Sequence, residues 1–546
     1  MTPIDRPGVA IAAILYLVTV LAIGVAASRR TRTPSDFWIA GRRLGLFVTG
    51  LATLSSAFSG FVFVGGPGLA YRLGIGSLWI VLPIGFTSGL LAWVVGSRLR
   101  ALAGVREVFT VPDAIAERWR TPAVTALAAL AVLCGSIAYL GLQVQAAGIV
   151  LQAIFGLTSP FAAMLLGAGV LAAYCMLGGM VAGVHTDVLQ GLLMALVGVV
   201  VFAQALAVNG GPAAMIQAVS RAPEFGPTFL EPLGRVPAST AFATFFVFGI
   251  GVLGQPHVLH KFYMLRDPAR MRYLPLVVAG GQALSVLLWC GVGLAVPALV
   301  ARGLLAPLAR PDEAAPAFLL GFAPDLVAGL AFACILAAIT SNADSLVNVA
   351  SAAVVRDLPR ALGGRVGNEL AWGRAASFGV TALAVCVAQL YGDLIAILGT
   401  FAFGLFGATL APVMALGLHW RRVTAHAAGA SILVGLVATL ALELAQRSAV
   451  ARGLPGLTGS FHPAATALAA SFATLVVVTA LTRSVPGREP LPEVARALDL
   501  DLDPARTGFA TGPAPAMSGT LAPRAVAGPP GIRPRGVCRR EEVDRP

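Results

Sequence analysis

Two carboxylates lie in otherwise apolar stretches of the sequence, where each could take part in binding an ion. Asp187 lies in GVHTDVLQ, residues 183–190, and Asp344 lies in ITSNADS, residues 339–345. An ionisable side chain inside a membrane span costs roughly 3 kcal/mol or more, so it is a functional candidate by default. Each also has a structural alternative: Asp187 could cap a helix at the membrane surface, and Asp344 could be a hydrogen-bonded packing residue.

A run of small polar residues offers further oxygen ligands for a cation. Residues 54–60 read LSSAFSG, and GGPG follows at 65–68. Glycine and proline interrupt a helix and free backbone carbonyl groups, which in a dry helical bundle can bind an alkali cation. The same small residues could instead allow two helices to cross closely.

A second interruption of this kind lies at residues 249–257, GIGVLGQPH. Two Gly/Pro-interrupted segments five helices apart point to related repeats with a binding site near the middle of the membrane. His257 and His260 precede a basic loop, so we expect them at the membrane surface and not as ligands. Gln143 and Gln145 need polar partners within a bundle, and they could either line a solute pathway or connect helices.

The elements that position these residues must lie in lipid. The 546 residues are 57% hydrophobic and only 12% charged, with a mean hydropathy of +0.84, which a water-soluble domain could not cover with polar surface. The net charge of +13 lies in loops beside apolar runs, which indicates membrane orientation and not nucleic-acid binding. Five of the six cysteines lie inside apolar runs and are expected to be packing residues.

Apolar runs of about 20 residues predict an all-α polytopic membrane protein with about thirteen transmembrane helices. The predicted spans are 8–28, 45–72, 76–98, 121–152, 158–181, 184–208, 237–258, 271–303, 317–354, 370–392, 393–419, 425–445 and 463–482. The second span, with its glycines and proline, is not expected to be straight.

The distribution of arginine predicts an extracellular N-terminus and a cytoplasmic C-terminus. The first, third and seventh connections are rich in Arg and Lys, as cytoplasmic loops are. Residues 1–482 are therefore predicted to form one transmembrane domain in the cell membrane. Residues 483–546 are rich in Pro, Gly, Ala and Arg without an apolar period, so we expect a disordered cytoplasmic tail.

Five elements in order resemble the sodium:solute symporters, the family of sodium/proline, pantothenate, acetate and glucose carriers. They are DFWIAGRR at 36–43, Ser59-Gly60 with 66–68, Thr186-Asp187 with Gln190, GQPH at 254–257, and the segment 337–358 ending in VRDL. The resemblance covers roughly residues 8–480. It implies a core of two inverted five-helix repeats, about 45–208 and 237–419, and transport of a small organic solute by alternating access, with sodium as the coupling ion.

Carried over residue by residue, the resemblance implies a sodium site on two helices. Backbone carbonyls of Ser55 and Phe58 would face Ala338, Ser341 and Asn342, and Asp187 matches an acidic residue tied to sodium coupling. Asn342 stands where the family usually has a second hydroxyl.

The residues expected to line the solute pathway are Ser59, Phe61, Gln143, Gln145 and Gln255. The sodium/proline branch usually has Asp and Trp where this chain has Ala57 and Phe61, so proline itself is not implied.

Alternatives from other classes are a transporter-like sensor that signals to a partner, a proton-coupled symporter and an enzyme embedded in the membrane. The spans contain no His/Glu cluster or Gly-x-Ser-x-Gly element, so we expect no enzyme. The expected partners are the solute, sodium and the lipid bilayer, with no nucleic acid.

Overall fold

A computed structural model describes residues 6–29, 38, 44–391, 395–451, 462–482 and 490–499. Their elements are helices, apart from one isolated parallel bridge between Leu44 and Leu265. The α-helices in chain order are α1 Pro7–Ser28, α2 Leu46–Ala57, α3 Gly66–Leu73, α4 Leu78–Leu91, α5 Ser97–Val105, α6 Val111–Trp119, α7 Pro122–Phe155, α8 Pro160–Val208, α9 Pro212–Arg221, α10 Ala238–Gly251, α11 Pro256–Phe262, α12 Leu274–Ala301, α13 Ala314–Phe322, α14 Asp325–Ala352, α15 Leu358–Ala361, α16 Glu369–Tyr391, α17 Ile395–Pro412, α18 Ala425–Ala451, α19 Pro463–Leu481 and α20 Pro492–Asp499.

Ten helical stretches within the described residues are long and apolar enough to cross a membrane, or eleven with the bent pair α10 and α11. The predicted count of thirteen is therefore not confirmed. The difference arises at two places. Phe61–Val105 runs from the second predicted span through the third, and the fifth predicted span contains only a shorter apolar helix, Pro160–Met176.

The long helix α8 is not straight. Its 49 residues would extend about 74 Å, more than twice the hydrocarbon thickness of a bilayer. Tyr174 Oη lies 2.6 Å from Thr186 Oγ1, although twelve residues of straight helix would separate them by about 18 Å along the axis. The chain must therefore turn sharply between these two residues, and this turn brings Asp187 back toward the first half of α8.

Both predicted helix interruptions are present. Helix α2 ends at Ala57, and Phe58 has extended backbone torsions before a π-helical turn begins at Phe61. In the second case α10 continues into a short 3₁₀ turn, Gln255 is extended, and α11 leaves at an angle of 44°.

Helix α14 forms the centre of the bundle. Every residue from Ala331 to Ala352 is buried, and the helix packs against α1, α2, α7 and α8. A helix buried on all sides brings its few polar side chains into a dry environment, where each needs a partner. The polar side chains of residues 340–345 must therefore find their hydrogen-bond partners on neighbouring helices.

The expected disorder after residue 482 does not hold for the whole segment. Residues 492–499 form α20, which packs on α5 and α6 and buries Val494, Ala497 and Leu498. Residues 483–489 and 500–546 lie outside the described residues, as does all of the segment 36–43 except Trp38.

Candidate ion and solute site

A buried ion pair lies at the centre of the candidate site. Lys261, in the last turn of α11, places its Nζ 2.7 Å from Asp187 Oδ2 on α8. The two side chains are 0% and 1% exposed. Breaking such a pair by removing one partner costs about 3–5 kcal/mol, because the remaining charge is left uncompensated.

Ser341 joins this ion pair to the first interrupted helix. Its hydroxyl donates to Asp187 Oδ1 at 2.5 Å and lies 3.0 Å from Ser55 Oγ. The Ser55 hydroxyl in turn donates to the carbonyl of Ala52 at 3.2 Å. Three residues from three helices, α2, α8 and α14, thus converge in one dry cluster of oxygen atoms.

The amide of Asn342 lies on the adjacent side of the same break. Its Nδ2 donates to the carbonyl of Ser56 at 2.7 Å, and its Oδ1 accepts from Gln143 Nε2 at 3.1 Å. Gln143 Oε1 accepts from the backbone N–H of Gly60 at 3.0 Å. Asn342 and Gln143 therefore satisfy backbone groups that the end of α2 leaves without helical partners.

Further polar contacts surround this cluster. Tyr16 Oη lies 2.6 Å from Thr340 Oγ1 and accepts from Gln190 Nε2 at 2.7 Å. Ser56 and Ser345 pair through their hydroxyls at 3.0 Å. These bonds link α1, α2, α8 and α14, so the helices around the candidate site are held by side chains and not by packing alone.

The second candidate carboxylate, Asp344, is 3% exposed. The Cys175 thiol hydrogen-bonds to it, while its Oδ2 has no hydrogen-bond partner. It also lies close enough to Lys261 and Asp187 to interact with both electrostatically. Asp344 therefore lies in the same charged region, and it also makes a hydrogen bond of the kind expected of a packing residue.

The six residues expected at a sodium site are all buried on α2, α8 and α14 or at their ends. Ser55, Asp187 and Ser341 are in direct contact, and Asn342 contacts α2 through the Ser56 carbonyl. Phe58 is the residue at which α2 breaks, and Ala338 lies one turn before Ser341.

The residues expected to line a solute pathway separate into different environments. Gln143 connects helices, as one alternative proposed, while Gln145, on the same helix α7, is partly exposed. Gln255 donates its amide to the carbonyls of Gly251 and Phe403 at 3.1 and 3.3 Å. Phe61 packs on Phe248 and Trp289, and Ser59 is buried.

A cavity of about 260 Å³ lies away from these five residues. It is formed where α3, α4, α10, α17, α18 and α19 meet, and its polar lining includes Ser77, Thr240, Thr400, Glu443 and His462. None of the five residues predicted from the sequence contributes to its lining.

The two histidines expected at the membrane surface are enclosed by protein. His257 and His260 are 2% and 1% exposed. His257 packs edge-on against Tyr139, with ring centroids 5.4 Å apart. Because α11 continues the broken helix, it carries both histidines into the protein interior. The sequence pattern had predicted the end of a helix there.

Sequence reasoning missed Lys261, which it counted among the basic residues of a cytoplasmic loop. The segment 258–265 around it reads VLHKFYML and is otherwise almost entirely apolar. A lone lysine in an apolar run directly after a helix interruption was the available signal, because a buried ammonium needs an anionic partner.

Comparison with known proteins identifies the family of this chain. The sodium:solute symporter family profile matches residues 37–435, well over half of the chain. The sodium/proline symporter of Haemophilus influenzae is 29% identical over 450 residues, which cover 78% of this chain and 86% of that protein. The sodium/pantothenate symporter of the same organism is 27% identical over 448 residues, covering 79% and 89%.

Solved structures agree on the fold. A Na⁺-coupled sialic acid symporter, in a substrate-bound outward-open state, matches with a TM-score of 0.70 at 18% identity, over 87% of this chain and 98% of that one. The predicted all-helical fold with an inverted-repeat core is thereby confirmed. The chain belongs to the sodium:solute symporter family and is a sodium-coupled secondary active transporter.

Proposed function

We propose that this protein carries a small organic solute into the cell together with sodium, and that sodium binds between the break in α2 and the middle of α14. The observation that carries the proposal is the contact of Ser341 with both Asp187 and Ser55. Alkali cations take several oxygen ligands, and this cluster concentrates hydroxyl, carboxylate and helix-end carbonyl oxygens away from water.

Each ligand in the proposal has a distinct contribution. The carbonyl groups of Ser55, Phe58 and Ala338 supply neutral oxygens, and the Ser341 hydroxyl supplies a fourth. Asp187 supplies the negative charge that makes a dry site attractive to a cation. The oxygen of Asn342 accepts from Gln143, so in the proposal this amide holds the helix break in shape and does not act as a primary ligand.

The solute is proposed only as a class. The relatives named above are sodium/proline and sodium/pantothenate symporters. The departures at Ala57 and Phe61 described in the sequence analysis do not favour proline itself. In the proposal, Ser59, Phe61, Gln143, Gln145 and Gln255 border the solute when the carrier opens. The identity of the solute then depends on how these side chains separate during alternating access.

The remaining features of the proposal concern placement in the membrane. The core repeats are about 45–208 and 237–419 within a transporter domain 1–482, in the cell membrane. The N-terminus lies outside and the C-terminal segment lies in the cytoplasm, because the arginine-rich connections alternate accordingly.

Uptake into proteoliposomes tests the coupling. Purified protein would first be screened for thermal stabilisation by metabolites, including proline and pantothenate, in sodium chloride and in choline chloride. Uptake of the stabilising solute is then measured under an inward sodium gradient. We expect accumulation that collapses when a sodium ionophore is added. Accumulation that instead follows an imposed pH gradient without sodium would contradict sodium coupling and favour a proton-coupled symporter.

A further inference from the structure

Lys261 brings a protein cation into direct contact with the proposed coupling carboxylate. We propose that the Lys261 ammonium is an exchangeable counter-ion: it holds Asp187 while the sodium site is empty, and it moves to Asp344 when sodium binds. The inference rests on the proposed sodium site. It gives Lys261 a positioning role, because its ammonium compensates one buried carboxylate or the other during the transport cycle. Lys261 is not itself a sodium ligand.

The first step of the argument is competition for one carboxylate. Lys261 Nζ lies 2.7 Å from Asp187 Oδ2, and the other carboxylate oxygen accepts from Ser341. Two monovalent cations beside a single carboxylate in a dry interior repel each other strongly, because the low dielectric does not screen them. Sodium at Asp187 and Ser341 therefore requires the ammonium to leave.

The second step is that a destination exists. Asp344 lies three residues after Ser341 on α14 and is buried, and its Oδ2 has no hydrogen-bond partner. An ammonium that leaves Asp187 needs another anion, since an isolated buried charge is very costly. When both carboxylates are ionised, Asp187, Asp344 and Lys261 together carry one net negative charge, which one sodium ion would balance.

The third step links this exchange to movement of the fold. Lys261 lies on α11, the short half of the bent pair with α10, and Asp344 lies on the central helix α14. Helix α11 contacts both α2 and α14. When Lys261 changes partner, α11 therefore exchanges a contact with α8 for a contact with α14. In the empty carrier, the paired ammonium leaves no uncompensated charge at Asp187.

Equilibrium binding of ²²Na⁺ to purified full-length protein in lipid nanodiscs tests the exchange without knowledge of the solute. Lys261→Gln removes the competitor. If the ammonium occupies the site about nine-tenths of the time, the sodium Kd falls roughly tenfold. Lys261→Arg keeps the charge and can pair with Asp187 through two bonds, so it binds sodium no more tightly than wild type. A Lys261→Gln variant that binds sodium as wild type does, or more weakly, overturns the inference.

A stationary positive charge near the site would also weaken sodium binding, and a double-mutant cycle separates the two cases. Asp344→Asn removes the destination of the ammonium, so it raises the sodium Kd at least fivefold when Lys261 is present. In the Lys261→Gln background the same change has less than a twofold effect. An equal loss in both backgrounds shows that Asp344 acts on sodium directly, and it contradicts the exchange.

Lys261→Gln leaves Asp187 without its partner and could lower the yield of folded protein. Its thermal stability gives a second measurement, because sodium then replaces the missing cation. We expect saturating sodium to raise the Tm of this variant by several degrees more than that of wild type. An equal sodium-induced shift in both proteins overturns the inference. If wild type itself shows no saturable ²²Na⁺ binding, the proposed sodium site fails, which is a different result from failure of the exchange.

Discussion

The two interrupted helices solve the same physical problem in different ways. At the break after α2, backbone groups of Ser56 and Gly60 are satisfied by side chains from α14 and α7, namely Asn342 and Gln143. At the break after α10, Gln255 satisfies the carbonyls of Gly251 and Phe403 with its own amide. At the first break the hydrogen-bond partners come from other helices, whereas at the second break the residue at the break, Gln255, is itself the donor.

The difference shows how related breaks can acquire separate tasks. The break after α2 lies beside hydroxyls and a carboxylate whose partners could be exchanged for a cation. The break after α10 lies against the backbone of α17, where a Cβ on Gly254 would lie 2.5 Å from the carbonyl oxygen of Phe406. We interpret the first as the ion site and the second as a tightly packed hinge that carries Lys261.

The largest effect is expected from Asp187→Asn, which breaks the ion site. The amide cannot neutralise Lys261, and removing one partner of a buried ion pair costs about 3–5 kcal/mol of stability, of which a new pair with Asp344 would recover only part. Thermal unfolding in detergent should show a large drop in Tm. The matched control is Asp187→Asn combined with Lys261→Gln, which should recover most of the loss. A single variant as stable as wild type would show that the ion pair is not the principal contact here.

A smaller effect is expected from Gly254→Ala, which breaks the hinge. The added methyl group must displace the backbone of α17, and such overpacking costs about 1–3 kcal/mol. The fraction of monodisperse protein and its Tm measure the effect. Gly280→Ala on α12 is the control, because no atom lies within 4 Å of its added Cβ. Equal behaviour of the two variants would refute close packing at the second break.

The smallest effect is expected from Gln255→Met, which removes the amide that closes the second break. Two backbone carbonyls lose a donor, and a typical hydrogen bond contributes about 1 kcal/mol. The Tm should fall modestly while the sodium Kd stays unchanged. A marked change in the sodium Kd would mean that the two breaks do not differ in the way described above.

Much of this architecture was predictable because lipid restricts what a chain can do. The apolar runs, the two interruptions and the polar positions on α14 follow from sequence pattern, since backbone groups in a bilayer must form helices or find special partners. The count of thirteen spans is not confirmed, because apolar length alone does not tell where a helix such as α8 turns.

The contacts within the site were less accessible to sequence reasoning. The pairing of Lys261 with Asp187 joins residues 74 positions apart, and it depends on how α11 is directed by the break before it. The burial of His257 and His260 has the same cause. Asn342 was expected to offer its oxygen to a cation, but the structure shows that Gln143 donates to this oxygen, a contact between helices that spacing does not reveal.

The sodium affinity of Ser341→Ala tests the central claim most directly. Ser341 is the side chain that touches both Asp187 and Ser55. Removing its hydroxyl leaves sodium with one oxygen ligand fewer, a loss of about 1–3 kcal/mol by analogy with an unmade buried polar contact. Ser351→Ala is the control, since Ser351 is a buried serine on the same helix that pairs with Ser377 outside the site. In ²²Na⁺ titrations we predict a rise in Kd of about tenfold or more for Ser341→Ala and none for Ser351→Ala. An unchanged Kd in a well-folded Ser341→Ala protein would contradict the placement of sodium between α2 and α14.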